Sequence, residues 1–303
     1  MESPYAVVAG PASSELGKNL ASDLGFPLVL PEVKVFSDGE SKIRIDGLGL
    51  QGRTCIIVQS TYPPVDRHLM QMLMLAHGCH QQGARELIAI APYLGYSRQD
   101  RAFLNGEVVS INLVSELMSA ASITHLITVD IHSVIALSHF SVKVDNLSAI
   151  PRLADFIRSL NLKEPLAVSP DCGGTERARQ FGDLLHCDTI SLKKTRNRQT
   201  GDVSVEDIKF NLVGRDAILV DDIISSGISV AKASDVLRKN GARRVYAICS
   251  HALLIDGAQE KIKNAGINDV IASNSVPSEY SRVDLAPSLA EAVRNRLALK
   301  QEG

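Results

Sequence analysis

The chain has 303 residues, a formal net charge of −2 and 45 % hydrophobic residues. That length can bury two full cores, and the near-neutral balance, with Lys and Arg scattered, gives no field for nucleic acid or anionic lipid. Five cysteines (Cys55, Cys79, Cys172, Cys187, Cys249) form no C-x-x-C pair, and an odd number in a chain of this size fits reduced thiols in the cytosol rather than a disulfide framework. No apolar run reaches the roughly 18 residues that span a bilayer, and the opening MESPYAVVAG lacks the basic flank and apolar core of a signal peptide. The expectation is a cytoplasmic protein with no membrane partner.

In chain order, YAVVAG at Tyr5 reads as a strand, and the following GPASSELGKN as a helix start capped by Ser13 or Ser14 and closed at Gly25. This segment resembles a phosphate-binding P-loop only superficially. Six residues separate Gly10 from Gly17 where four are required, and Asn19 replaces the metal-binding hydroxyl. TCIIVQS, RELIAIAP, THLITVDIH, LAVSPD, AILVDD and RRVYAICS read as further strands with amphipathic stretches between them. The alternation predicts mainly parallel sheets flanked by helices. His77, Cys79 and His80 fall at a helix end, where His suits the macrodipole better than a metal cluster does. The apolar stretch HLMQMLMLAHG serves a core or an assembly surface, and periodicity does not separate the two.

The halves echo each other. A strand, a helix from near Val65 and GARELIAIAP in the first half parallel a strand, a helix from near Ser229 and GARRVYAICS in the second. This predicts two tandem related α/β domains, 1–147 and 148–303, the last helix being a candidate to pack back on the first domain. Gly after a helix is also common capping chemistry, so coincidence is the plain alternative.

The second copy runs from AILV into Asp221, Asp222 and the loop Ser225, Ser226, Gly227, Ile228, Ser229. Successive N–H groups that open onto a helix N-terminus hold a phosphate without any basic side chain. Paired acids beside it would repel that phosphate but accept hydrogen bonds from vicinal hydroxyls, or bind Mg2+ that a phosphorylated sugar brings. The pattern therefore suggests a ribose 5-phosphate moiety. An Asp that merely N-caps the next helix explains one acid and not two. The first copy has Gln59-Ser60 and Pro63-Pro64 at this place, so only the second keeps the cradle.

Six stretches in order, FSDGE at Phe36, YSRQDR at Tyr96, VDIHS at Val129, VSPDCGG at Val168, KKTR at Lys193 and VDDIISSGIS at Val220, give the chain a further likeness. The last resembles the binding motif of type I phosphoribosyltransferases, and nearly the whole chain resembles the ribose-phosphate diphosphokinases (phosphoribosyl pyrophosphate synthetases). The resemblance implies the type I phosphoribosyltransferase fold in both domains, with ATP on the first and ribose 5-phosphate on the second. It implies diphosphoryl transfer from ATP to the sugar's C1 hydroxyl, with Lys194 and Arg196 as the catalytic cations on a flap. Phe36, Asp38, Glu40, Arg98, Gln99 and His132 would bind ATP; Asp171, Asp221, Asp222 and residues 225–229 would bind the sugar phosphate. Mg2+ is the implied cofactor, near His132 and Asp171. The resemblance also implies a homo-oligomer built on dimers, up to a hexamer, with FSDGE lent to a neighbouring subunit. AFLNGEVVS, shorter than the basic loop of the phosphate-activated class, implies weak or absent phosphate activation. Two other readings stay open: a phosphoribosyltransferase, which leaves FSDGE and the duplication without a role, and a catalytically silent regulatory homologue.

Overall fold

The computed structural model describes residues 3–45, 49–192, 194–196, 203–205 and 212–298, the stretches 194–196 and 203–205 by their backbone. The chain divides into two compact units. One holds Met1–Leu147, Ser275–Pro277 and Asp284–Gly303; the other holds Ser148–Asn274 and Ser278–Val283.

In the first unit the elements are β1 (Tyr5–Ala9), α1 (Ser14–Leu24), β2 (Leu28–Val29), β3 (Glu32–Val35), β4 (Ser41–Arg44), β5 (Thr54–Val58), α2 (Val65–Gln81), β6 (Glu86–Ala91), α3 (Ser110–Ala120), β7 (His125–Val129) and β8 (Lys143–Leu147). Six strands form a parallel sheet in the order β2-β1-β5-β6-β7-β8. TCIIV and ELIAIA are buried throughout, because helices on both faces leave no solvent side for a polar residue. α2 turns Leu69, Met72, Leu73, Leu75, Ala76 and Cys79 into the core, while Met70 and Met74 remain exposed. The apolar stretch thus builds the core along one stripe and offers methionines along another.

In the second unit follow α4 (Ile150–Arg158), β9 (Leu166–Ser169), α5 (Thr175–Leu185), β10 (Asp188–Ser191), β11 (Lys194–Arg196), β12 (Val203–Val205), β13 (Asp216–Ile224), α6 (Ile228–Lys239), β14 (Arg244–Ala252), α7 (Ala258–Asn264), β15 (Asp269–Ser273) and β16 (Ser281–Val283). The sheet order β10-β9-β13-β14-β15-β16 repeats that of the first unit, strand for strand. The last helix, α8 (Ala286–Ala298), belongs to the first unit and packs on α1.

The two Gly-Ala-Arg turns repeat down to single hydrogen bonds. Gly83 and Gly241 adopt φ of +80° and +89°, which glycine reaches at no steric cost. Ala84 N–H donates to Cys79 O and Ala242 N–H to Leu237 O, both at 3.1 Å, and the Arg85 and Arg243 amides donate to Arg53 O and Arg215 O.

The expected cap of α1 is not there. Ser13 occupies the N-cap position without a side-chain cap bond; its hydroxyl oxygen accepts from Ser60 N–H at 2.8 Å instead. Gly25 closes the helix in a left-handed conformation, φ +68°. Among the described residues, no helix is long and apolar enough to cross a membrane. The cysteines are free thiols.

Candidate active site

Open parallel sheets gather ligands beyond the carboxyl ends of their strands. Asp171 follows β9 there, the acid pair and the serine loop close β13, and in the first unit Arg98 and Gln99 follow β6 and His132 follows β7.

β13 runs two residues beyond the acid pair, to Ile224, before the loop begins. The loop's conformation follows from where its carbonyls go. Ile224 O accepts from the amides of Leu253 and Leu254, and Ser225 O from that of Ile255. Ser226 O accepts from Lys261 Nζ at 3.4 Å. A trans peptide sets its N–H opposite its carbonyl, so the amides of Ser225, Ser226 and Gly227 point to the other side, ahead of α6. Gly227 is required at the turn: φ is +73°, and a Cβ would meet Ala258 O at 3.1 Å and Ile262 Cγ1 at 3.2 Å. Successive amides turned one way before a helix N-terminus form an anion cradle. Ile228 opens α6 on the exposed side and Ser229 is half-buried.

Beside the cradle, Asp222 is buried and Asp221 half-buried. Asp221 Oδ1 accepts from Asp222 N–H at 2.9 Å. Burial, then the adjacent Asp222, push the Asp221 carboxyl well above the usual carboxylate range, against the opposing pull of Arg177. Arg177 Nη1 lies 3.3 Å from Asp222 Oδ1 and 3.7 Å from Asp221 Oδ1. Asp171 caps the turn that follows it, its Oδ1 accepting from the amides of Gly173 and Gly174 at 3.0 and 3.2 Å.

Among the described residues, no group of three or more His, Cys, Asp or Glu could hold a metal by itself. A hard ion such as Mg2+ keeps several waters and needs only one or two carboxylates beside substrate phosphate oxygens. The oxygen donors of Asp171 fit that demand. The exposed thiol of Cys172, a soft donor, does not suit such an ion.

In the first unit, Phe36, Asp38 and Glu40 sit at the tip of the β3/β4 hairpin, which pairs Val35 with Ser41. Asp38 Oδ1 accepts from Glu40 N–H at 3.0 Å, and Lys34 Nζ stands 5.0 Å from the ring centre of Phe36, itself exposed. The tip therefore offers an aromatic face and carboxylates to a ligand. Arg98 and His132 are exposed. Gln99 turns into its own loop, its Nε2 donating to Arg101 O at 3.3 Å.

In the first unit, Gln59 and Ser60 stand where the second has Asp221 and Asp222, and both are engaged from within. Gln59 Oε1 accepts from Ala12 N–H at 3.1 Å, and Ser60 Oγ donates to Ser275 O at 2.5 Å. Both residues are fully buried.

Lys194 and Arg196 lie on the backbone of β11, paired with Val205 and Val203 of β12. Their side chains, like the intervening residues 197–202, lie outside the described residues. Sequence reasoning passed over Arg177 and Lys261. Neither carries a sequence signal that marks it: Arg177 stands three residues beyond Gly174, and Lys261 lies 35 residues from Ser226.

An anion cradle with paired acids, carried by one of two units of identical sheet order, gives an α/β protein the chemistry to meet a phosphorylated, hydroxyl-bearing ligand. Comparison with known proteins narrows this class. Residues 5–122 match the family described as the N-terminal domain of ribose phosphate pyrophosphokinase, and residues 203–298 the phosphoribosyl synthetase-associated domain. The ribose-phosphate pyrophosphokinase of Sulfurisphaera tokodaii is 34 % identical over 95 % of this chain and 99 % of its own length. That of Bacillus subtilis is 34 % identical over 93 % and 90 %. The crystal structure of phosphoribosylpyrophosphate synthetase from Mycobacterium smegmatis superposes with a TM-score of 0.86 at 28 % identity, covering 99 % of each chain. The chain belongs to the ribose-phosphate pyrophosphokinase family.

Proposed function

We propose that this protein transfers the diphosphoryl group of ATP to the C1 hydroxyl of ribose 5-phosphate, releasing 5-phosphoribosyl 1-diphosphate and AMP. The observation that carries the reading is the cradle at 225–229 beside Asp221 and Asp222, in a chain that matches a ribose-phosphate pyrophosphokinase over 95 % of its length. The amides of the cradle bind the 5-phosphate. Asp221 and Asp222 accept hydrogen bonds from the ring hydroxyls and so fix the sugar. Asp171 serves the metal, and Mg2+, when bound, would neutralise charge on the transferred phosphoryl oxygens; in the first unit, His132 serves the Mg2+·ATP side. Arg98 and Gln99 bind the nucleotide. Lys194 and Arg196, on the β11/β12 flap, supply positive charge as it shifts toward the departing AMP, and the flap excludes water that competes with the sugar hydroxyl.

Phe36, Asp38 and Glu40 receive the adenine of a neighbouring copy, so the working form is a homo-oligomer. The exposed position of that hairpin tip supports this reading. The short loop after Arg101 leaves the enzyme little dependent on added phosphate; a steep rise of activity with phosphate overturns that part.

The test is AMP release from ATP and Mg2+ with and without ribose 5-phosphate. Sugar-dependent AMP without ADP supports diphosphoryl transfer. No AMP, with the sugar phosphate or its 1-diphosphate still bound, leaves a transferase or a regulatory homologue.

A further inference from the structure

Arg177 stands where local helix chemistry disfavours it. It lies in the first turn of α5, whose exposed amides form the positive end of the helix dipole and favour acids over cations. Glu176 next to it suits that position and pairs at the surface with Arg179 at 2.6 Å. The Arg177 side chain is only 20 % exposed. Its ion-pair partners are two carboxylates, at 3.3 and 3.7 Å.

The backbone makes room for it. A Cβ at Gly174 would stand 2.8 Å from Ser169 Oγ and 3.6 Å from Arg177 Nη1. Glycine there lets the start of α5 close on the end of β9, and with it brings the guanidinium to the neighbouring β13. Two adjacent acids withdrawn from water repel each other, and a single guanidinium nitrogen, Arg177 Nη1, stands within ion-pair distance of both and offsets that repulsion.

We infer that Arg177 is the positioning residue of the sugar site: its guanidinium braces Asp221 and Asp222 as a preorganised acceptor pair for the vicinal hydroxyls of ribose 5-phosphate. The inference rests on the reading that this acid pair meets the sugar. Arg177 faces the carboxylates, not the phosphate, whose negative charge the cradle amides hold. Its contribution is present before the sugar arrives, so it acts on sugar binding more than on the chemical step.

The experiment compares intact wild-type protein with Arg177→Met and Arg177→Lys. Binding is measured by calorimetry with ribose 5-phosphate and with 2-deoxyribose 5-phosphate, in Mg2+ and a non-transferable ATP analogue. Steady-state kinetics are measured alongside. Arg177→Met is expected to weaken ribose 5-phosphate by about 10- to 100-fold, the range found for groups that orient metal ligands. Its preference for the sugar with the 2-hydroxyl falls toward one. KM for the sugar rises far more than kcat falls, and Arg177→Lys recovers part of the affinity. A merely structural arginine would not alter the discrimination between the two sugars. Unchanged affinity and discrimination in Arg177→Met overturn the inference; should that variant not fold, unchanged values in Arg177→Lys do so. Wild-type protein that binds neither sugar phosphate overturns the functional reading first, and the inference with it.

Discussion

Ser133 donates its hydroxyl hydrogen to Asp100 Oδ2 at 2.5 Å, tying the residue after His132 to the residue after Gln99. His139 Nε2 meets the backbone carbonyl of the same Asp100 at 2.8 Å. The bond from Ser133 is the main cause that holds the Asp100 carboxyl below its ordinary range. Two stretches proposed for ATP are thereby fixed to each other through a buried acid.

Ser133→Ala leaves that acid without its hydroxyl donor. The expected cost is about 1–3 kcal/mol, read as a lower midpoint in urea. Because the folded pKa is depressed, the stabilisation is present above the unfolded carboxylate value and disappears as pH falls through the folded one. Wild type and variant therefore converge in acid. KM for ATP is expected to rise several-fold while KM for the sugar holds; an equal rise in both would mean that the bond serves general stability alone.

Asp216 is the contrasting acid. It is fully buried at the start of β13, where Arg243 Nε donates to its Oδ1 at 2.8 Å and Lys163 N–H to its Oδ2 at 2.8 Å. Arg243 is itself partly exposed, so only the Asp216 charge is stranded in the interior when it is removed. Arg243→Met is expected to lose stability in chemical denaturation, with KM values near wild type at a temperature where it stays folded. A stable Arg243→Met would show that water reaches Asp216.

The strands that were legible in sequence, β1, β5, β6, β7, β9, β13 and β14, are largely buried and carry longer apolar runs, whereas β15, buried as well, has only the short run Val270-Ile271-Ala272. The edge strand β8, with its mix of exposed and half-buried residues, carries no such run, and β2 spans only Leu28–Val29. The hairpin β11/β12 hid within a polar stretch because its three-residue strands show too little alternation to register. In the site, Asp221, Asp222 and the serine loop were visible because they are contiguous. Arg177 became visible only when the fold brought the start of α5 beside β13, and Lys261 only when its Nζ was seen to bridge Ser226 O and Asp256 O.

The Asp221 carboxyl is held up by burial first and by Asp222 next, so the sugar contact proposed for it carries a pH dependence. Its folded pKa exceeds the unfolded value, so between the two the native state binds more protons and stability falls as pH rises. Sugar binding runs the other way, since the ionised acid accepts stronger hydrogen bonds from the hydroxyls than the protonated one does. KM for ribose 5-phosphate is therefore expected to rise as pH falls through the raised pKa. In Asp221→Asn that acid limb vanishes, with KM high at every pH. An acid limb that persists in the variant would assign it to another group.

Lys194 and Arg196 alternate with Thr195 on β11, in register with Val205 and Val203. Charge that develops on the departing AMP is what they are proposed to meet, and a group engaged mainly in the transition state lowers kcat and kcat/KM alike when lost. Lys194→Ala is expected to lower kcat by about 100- to 1000-fold, with KM for ATP and sugar within a few-fold of wild type. Single-turnover measurement with saturating ATP separates this from slow product release, because a defect in chemistry slows the first turnover as much as the later ones. A variant with near-normal kcat and a large rise in KM for ATP would make Lys194 a ground-state binding residue and leave Arg196 to carry the charge alone.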